Sequence, residues 1–270
     1  MEYIKQGKDI LLKTPDFDLD QTLDCGQAFR WEKISDNAYH GFALNTPLTI
    51  SQEKDYFRLA DTTEETFLNV WVPYLDLDTD YTAIKEQLSR EETLAKACEY
   101  AGGIRLLRQD SWEALCSFII SQNNNIPRIK GIIGRLCEMY GGFPSFEQMK
   151  GVTVDDLAPL RSGFRAKYIV DCVDKLNNGE IKLDEVKNLT VEDAKKALMT
   201  IKGVGPKVAD CAMLYGMYKI ECVPMDVWMK RVMERFYPYG FPDFVLQYAG
   251  IAQQYLFHYI RTGDLLQWQN

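Results

Sequence analysis

The chain has 270 residues, 46% hydrophobic and 26% charged, with a formal net charge of −8 and a pI near 5.0. That composition is globular, excludes a disordered or fibrous chain, and its length suggests about two domains. No apolar run approaches the roughly 20 residues of a membrane span, and the overall acidity argues against promiscuous polyanion binding.

In chain order, Ala28–Trp31, Tyr39–Leu44, Leu48–Ile50 and Tyr56–Leu59 read as strands of an antiparallel sheet. Asp36-Asn37 and Asn45-Thr46-Pro47 are the expected turns. Thr63 with Glu64 and Glu65 opens a helical stretch to Tyr74, and 80–101 is helical by pattern. From 104 the apolar period changes to about 3.6 residues. Ser111 is a plausible cap for a helix through Ile119, Asn123-Asn124-Asn125 interrupts, and a second helix runs from Pro127 to about Tyr140. After the break at Gly141-Gly142-Phe143-Pro144, short helices are expected over 146–150, 154–160, 164–177, 191–200, 206–216, 226–235 and 244–260. The fold class is therefore α+β: a mixed antiparallel-sheet domain over 1–103, then an all-α region over 104–270.

Residues 1–103 carry 20 acidic and 10 basic side chains, whereas 104–270 carry 19 and 21. A local basic face is thus open to the second region, and Ala194 to Lys207 holds four lysines and no acid. Seven cysteines, none in C-x-x-C spacing, make a disulfide framework, a zinc site or an iron–sulfur cluster improbable and suit a reducing compartment. The N-terminus shows no apolar signal core, so a cytoplasmic location is expected, with the nucleoid if the cell is bacterial.

The most informative stretch is 190–229. Thr190 with Asp193 resembles a capping box, and Ile201-Lys202-Gly203-Val204-Gly205 joins that helix to one opening at Pro206. A tight Gly-x-Gly turn at a helix N-terminus presents backbone N–H groups suited to a phosphate, although a plain helical hairpin has the same pattern. Lys207 lies in the first turn of the second helix. The positive end of the dipole and apolar neighbours such as Val208 push it toward the neutral, nucleophilic amine. A solvated lysine or a phosphate contact is the plainer alternative. Asp226 precedes another helix and reads as an N-cap. The loop over 217–225 is long enough to return it toward Lys207, and capping is compatible with catalysis.

The run from Ile201 to Val232 resembles the helix-hairpin-helix DNA glycosylases, and the lysine places it with the bifunctional members. Four further stretches match 8-oxoguanine DNA glycosylase in order: Cys25 to Trp31, Ser121 to Ile129, Gly163 to Tyr168 and Ala252 to Phe257. The resemblance spans about 20–260. It implies Lys207 as the amine that attacks C1′ and Asp226 as the carboxylate that stabilises the cationic sugar. It implies that the Gly26 carbonyl reads N7–H, that Gln253 reads the Watson–Crick edge, and that Phe257 and Cys211 sandwich the extruded base. Asn123 would fill the vacated space, Phe164 would wedge the stack, and Arg128 and Arg165 would contact the orphaned cytosine. Gly203, Val204 and Gly205 would hold phosphate. Carbonyls of Met199, Ile201 and Val204 would hold a structural monovalent or calcium ion, with no cofactor required. The implied partner is damaged double-stranded DNA, met by a monomer away from any membrane.

Two positions depart from animal-type members. Phe164 stands where they carry tyrosine, and Trp228 where they tend to carry histidine. A stacking wedge survives the first change, but a hydroxyl contact does not. Alternatives from other classes are a monofunctional alkyladenine-type glycosylase, which works without the lysine, and a non-catalytic helix-hairpin-helix DNA-binding module. An endonuclease III type would carry a four-cysteine cluster after the aspartate, and no cysteine follows Cys222.

Overall fold

Side chains that alternate between a core and water build the N-terminal sheet. The computed structural model describes residues 1–263. Among them are six antiparallel strands: β1 (Glu2–Gln6), β2 (Asp9–Lys13), β3 (Trp31–Ser35), β4 (Ala38–Ala43), β5 (Thr46–Gln52) and β6 (Phe57–Ala60). Their order is β1-β2-β6-β5-β4-β3. The β1–β2 hairpin is absent from the sequence expectation, because β1 is an edge strand with no buried side chain and so shows no apolar alternation. Leu44 and Asn45 both have positive φ, 50° and 62°, and form the tight β4–β5 turn. Thr46 and Pro47 therefore belong to β5 rather than to the turn. Pro47 pairs with Phe42 of β4 only, since β6 joins β5 from Thr49 on, so its missing N–H costs no ladder bond there.

Chain contacts divide the protein into two units. One holds Met1–Arg108 and the chain from Met225 on; the other is Gln109–Pro224. In the first unit Ile10, Leu12, Trp31, Tyr39, Ile50 and Leu59 pack with Phe67 and Trp71 of the helical stretch that Thr63 caps. Trp31 meets Trp71 edge-on at 6.1 Å and donates from Nε1 to the Tyr74 hydroxyl at 3.0 Å. A Cβ at Gly41 would stand 2.4 Å from the Trp31 ring, so the sheet needs glycine there. A second core joins the helices Tyr81–Leu88, Glu92–Ala101, Val227–Phe236 and Ala249–Thr262 through Leu94, Ala97, Met229, Val232, Tyr255 and Leu256. This shared apolar surface is why the C-terminal helices belong with the N-terminal unit. The change of secondary structure near 103 follows local pattern; the division into units follows burial.

In the second unit the helix Ser111–Ser121 is buried on nearly every face. Asp110, not Ser111, is its cap, accepting from the Glu113 N–H at 2.8 Å. The Ser111 hydroxyl donates instead to the Gly216 carbonyl at 2.6 Å. The helices expected over 146–150 and 154–160 are turns, with a short 3-10 segment at Ala158–Leu160. Ser145 with Gln148, and Thr153 with Asp156, bond to each other's backbone and offer the chain an alternative to helix. The helix Leu183–Lys187 precedes the hairpin pair Val191–Leu198 and Pro206–Cys211. The latter continues as a wider turn over Ala212–Gly216. Among the described residues no helix is long and apolar enough to cross a membrane.

Candidate active site

The hairpin of the second unit is built from its sequence as expected. Thr190 caps the first helix, accepting from the Asp193 N–H at 3.2 Å, and the Thr190 hydroxyl meets the Asp193 carboxylate at 3.0 Å. Gly203 has φ +80°, and an added Cβ would lie 2.4 Å from the Tyr168 ring, so glycine is required on both counts. Asp171 accepts from the Lys202 N–H at 2.7 Å, and Lys175 bridges Asp171 and the Thr200 carbonyl at 3.0 and 2.5 Å. Tyr168, Asp171 and Lys175 thus hold the turn in place; nothing in their local sequence signals it. The N–H groups of Gly203 and Gly205 find no protein acceptor among the described residues, which is the condition for an anion site.

Lys207 follows Pro206 at the start of the second hairpin helix and is half-buried. Its Nζ lies 5.7 Å from the Phe118 ring centroid, and Phe118 stacks on Tyr215 at 5.1 Å. Cys211 lies four residues on, hence on the same helix face, and is 3% exposed. Behind it Asp210 is 5% exposed and pairs with Lys195 of the first hairpin helix at 2.8 Å. Burial raises the Asp210 carboxyl above its usual range, outweighing the opposing pull of Lys195.

The three asparagines separate by role. Asn125 caps the helix Ile126–Tyr140 by accepting from the Arg128 N–H at 3.0 Å, and Asn124 donates to the Ile120 carbonyl at 3.2 Å. Asn123 has φ +47° and an exposed side chain with no protein partner among the described residues. Arg128 is exposed, whereas Arg165 is only 2% exposed. Its guanidinium donates to the Gln122 carbonyl, to Asn123 at 3.0 Å and to Ser162 at 3.1 Å. Desolvation lowers the Arg165 pKa, and the nearby Arg128 charge adds to the shift. Phe164, on the turn after Gly163 (φ +61°), is 44% exposed and lies over the Arg165 guanidinium at 4.5 Å.

In the first unit Gly26 has φ +91°. The next residue, Gln27, is 1% exposed and anchors the turn: its amide donates to the Thr22 and Arg105 carbonyls at 2.9 and 2.8 Å and accepts from the Leu107 N–H at 2.9 Å. Gln253 and Gln254 are buried in the helix Ala249–Thr262, and the Gln254 amide donates to Gln253 Oε1 at 2.9 Å. Phe257, one turn on, is half-buried with Arg261 over its ring at 5.2 Å. Asp226 caps the helix Val227–Phe236 with Oδ1, 2.8 Å from the Met229 N–H; Oδ2 has no protein partner among the described residues. Trp228 is 40% exposed with Arg231 over its ring at 5.2 Å.

Among the described residues no cluster of three or more His, Cys, Asp or Glu is set to hold a metal. The hairpin carbonyls named for a cation are all oxygen donors, which suits a hard ion. The Ile201 carbonyl already accepts from the Val204 N–H at 3.0 Å.

Family models match nearly the whole chain: "8-oxoguanine DNA glycosylase, N-terminal domain" over residues 9–115, and "HhH-GPD superfamily base excision DNA repair protein" over 116–241. The structure of MBOgg1 in complex with a low-affinity DNA ligand is similar at 38% identity and TM-score 0.90, covering 97% of this chain and 99% of that one. Clostridium acetobutylicum 8-oxoguanine glycosylase/lyase, bound to double-stranded DNA with cytosine opposite 8-oxoG, is similar at 35% identity and TM-score 0.87, covering 97% and 98%. The N-glycosylase/DNA lyase of Saccharomyces cerevisiae is 34% identical over 205 residues, 67% of this chain. The chain spans 50% of that relative's length and 63% of an Arabidopsis thaliana one. A 3-methyladenine DNA glycosylase from Archaeoglobus fulgidus shares the fold, with TM-score 0.70 at 16% identity.

Proposed function

The chain belongs to the 8-oxoguanine DNA glycosylase family of HhH-GPD base-excision repair proteins, and on that premise we propose that it is a bifunctional glycosylase/β-lyase. It removes 8-oxoguanine from damaged double-stranded DNA, preferably opposite cytosine, acting as a monomer. The observation that carries the reading is the half-buried Lys207 amine, held over Phe118 in the first turn after Gly203-Val204-Gly205.

The damaged nucleotide leaves the stack, since its C1′ is out of reach inside it. The hairpin N–H groups bind a backbone phosphate and fix the strand. The Lys207 amine attacks C1′ as the bond from C1′ to the base breaks; the base leaves with the bonding pair and takes up a proton. Oδ2 of Asp226 stabilises the positive charge that develops on the sugar. The new ammonium loses its proton, and the sugar ring opens as C1′–O4′ breaks and O4′ is protonated, leaving a C1′=N Schiff base. Removal of a C2′ proton then expels the 3′ phosphate by β-elimination. No cofactor enters these steps; a cation at the Met199, Ile201 and Val204 carbonyls would serve only to steady the hairpin against phosphate.

The Gly26 carbonyl and Gln253 read the base, with Phe257 and Cys211 on its faces. Asn123, exposed on its left-handed turn, enters the vacated space and Phe164 wedges the stack. We assign Arg128 to the orphaned cytosine. The buried guanidinium of Arg165 donates to three loop carbonyls, so its part in that contact is to hold Asn123 in position.

Borohydride trapping tests the reading. Wild type incubated with duplex DNA carrying 8-oxoguanine opposite cytosine should give a covalent adduct, and Lys207→Gln should give none. Base release by both proteins without an adduct would move the assignment to a monofunctional glycosylase; no base release by wild type would reject the substrate.

A further inference from the structure

The carbonyl assigned to N7–H belongs to the residue type with the freest backbone. Gly26 has φ +91°, a region glycine enters without steric cost, and its carbonyl meets no protein donor among the described residues. Nothing in Gly26 itself sets the direction of that oxygen. The peptide unit is planar, however, so the Gly26 carbonyl is rigidly tied to the N–H and Cα of Gln27.

Gln27 is 1% exposed. Its amide nitrogen donates to two carbonyls, Thr22 at 2.9 Å and Arg105 at 2.8 Å, and its oxygen accepts from the Leu107 N–H at 2.9 Å. Carbonyls only accept and a backbone N–H only donates, so this amide fits in one sense. The partners are held in turn. Thr22 lies buried in the helix Leu19–Leu23; its hydroxyl donates to the Gly103 carbonyl at 2.9 Å and accepts from the Arg105 N–H at 3.1 Å. The Arg105 guanidinium donates to the Asp76 and Pro15 carbonyls, each at 2.8 Å. The residue after the glycine is thereby pinned to that helix and to the segment 105–107.

A flip of the peptide between residues 26 and 27 would put the Gln27 N–H where the carbonyl stands. Glycine tolerates the flip; Gln27 resists it, because its Cα cannot turn while the side chain is bonded at three points. Guanine and 8-oxoguanine differ at this edge in the same sense, since N7 of guanine accepts and N7–H of 8-oxoguanine donates. The carbonyl suits the lesion and opposes the normal base, and the N–H would do the reverse. We propose that Gln27 is a positioning residue that locks the sense of the peptide joining it to Gly26, and is thereby a determinant of selectivity for 8-oxoguanine over guanine. It acts through the peptide, not by bringing its side chain to the base. The inference rests on the Gly26 carbonyl reading N7–H.

The test measures dissociation constants for duplexes carrying 8-oxoguanine or guanine opposite cytosine. The parent is Lys207→Gln, so that the base stays attached, alone and combined with Gln27→Met or Gln27→Glu. Strand cleavage at a preformed abasic site, which needs no base reading, is followed in the single Gln27 variants. Gln27→Met removes all three bonds. It should cut the preference for the 8-oxoguanine duplex by roughly tenfold, the scale of one base-edge contact, with guanine-duplex binding and abasic cleavage retained. Gln27→Glu keeps the acceptor for the Leu107 N–H but not the two donors, and should lower the preference by less. An unchanged preference in Gln27→Met overturns the proposal. So does an equal loss of affinity for both duplexes accompanied by a loss of abasic cleavage, which is what a purely structural brace would give. If Gln27→Met does not fold, Gln27→Glu decides by the same outcomes. A parent that prefers 8-oxoguanine while neither variant alters the preference defeats this inference alone. A parent that does not distinguish the duplexes defeats the reading of Gly26 and this inference with it.

Discussion

The hairpin of the second unit and the glutamine pair of the first handle polar groups in opposite ways. Around the hairpin, key groups are left unmatched: the Gly203 and Gly205 N–H groups lack protein acceptors, Lys207 is half-buried, and the side chain of Asn123 is unpartnered among the described residues. Around Gly26 and Gln253, amides are buried and bonded in sequence, through Gln27 to three backbone groups and through Gln254 to Gln253. On the proposed function, the groups that would bind phosphate or form a bond have to remain available, whereas the group that would read a base edge has to stand in one orientation. Availability and orientation call for different surroundings.

The most direct way to break that contrast is to remove the available amine. Lys207→Gln should lower strand cleavage at 8-oxoguanine by at least about a thousandfold, on the scale of losing a catalytic nucleophile, with no change in the denaturation midpoint. Asp226→Asn sharpens it next, because Asn caps a helix about as well as Asp. Base release should fall by on the order of a hundredfold, while thermal stability stays within roughly 0.5 kcal/mol of wild type. A stability loss as large as the rate loss would reduce Asp226 to a cap.

Gly203→Ala asks whether the hairpin is built or incidental. The positive φ and the Tyr168 ring should together make the change cost about 2–3 kcal/mol in urea denaturation and weaken binding to undamaged duplex. The smallest effect belongs to Asp210. Its folded-state carboxyl titrates above the unfolded value, so the fold binds that proton more tightly than the unfolded chain does. The stability this contributes is present below the ordinary carboxylate range and is lost as pH rises through the raised value. Asp210→Asn should flatten that part of the stability–pH curve, and an unaltered slope would show that Lys195 compensates the burial in full.

Much of the hairpin was legible because its signals are local. Thr190 as a cap, Pro206 in a first turn, Gly203 at positive φ and Asp226 as a cap each depend on a few neighbouring residues. The β1–β2 hairpin was not legible, since an exposed edge strand carries no apolar alternation. Nor were the turns over 146–150, where side chain-to-backbone bonds defeat a helical pattern. The triple asparagine looked like one anomaly and divides into a cap, a loop tie and one exposed side chain.

By itself, then, the sequence determined the α+β class, the hairpin, its lysine and the capping aspartate, because period, cap and turn chemistry act over a few residues. Tertiary structure alone decided that the helices after Met225 share a core with 81–101, that Arg165 is buried under the Asn123 loop, that Tyr168 and Asp171 brace the hairpin, and that Cys25 meets Gln254 across 229 residues of chain. Those outcomes depend on which surfaces find each other, and the pairing of distant surfaces leaves no mark in local spacing.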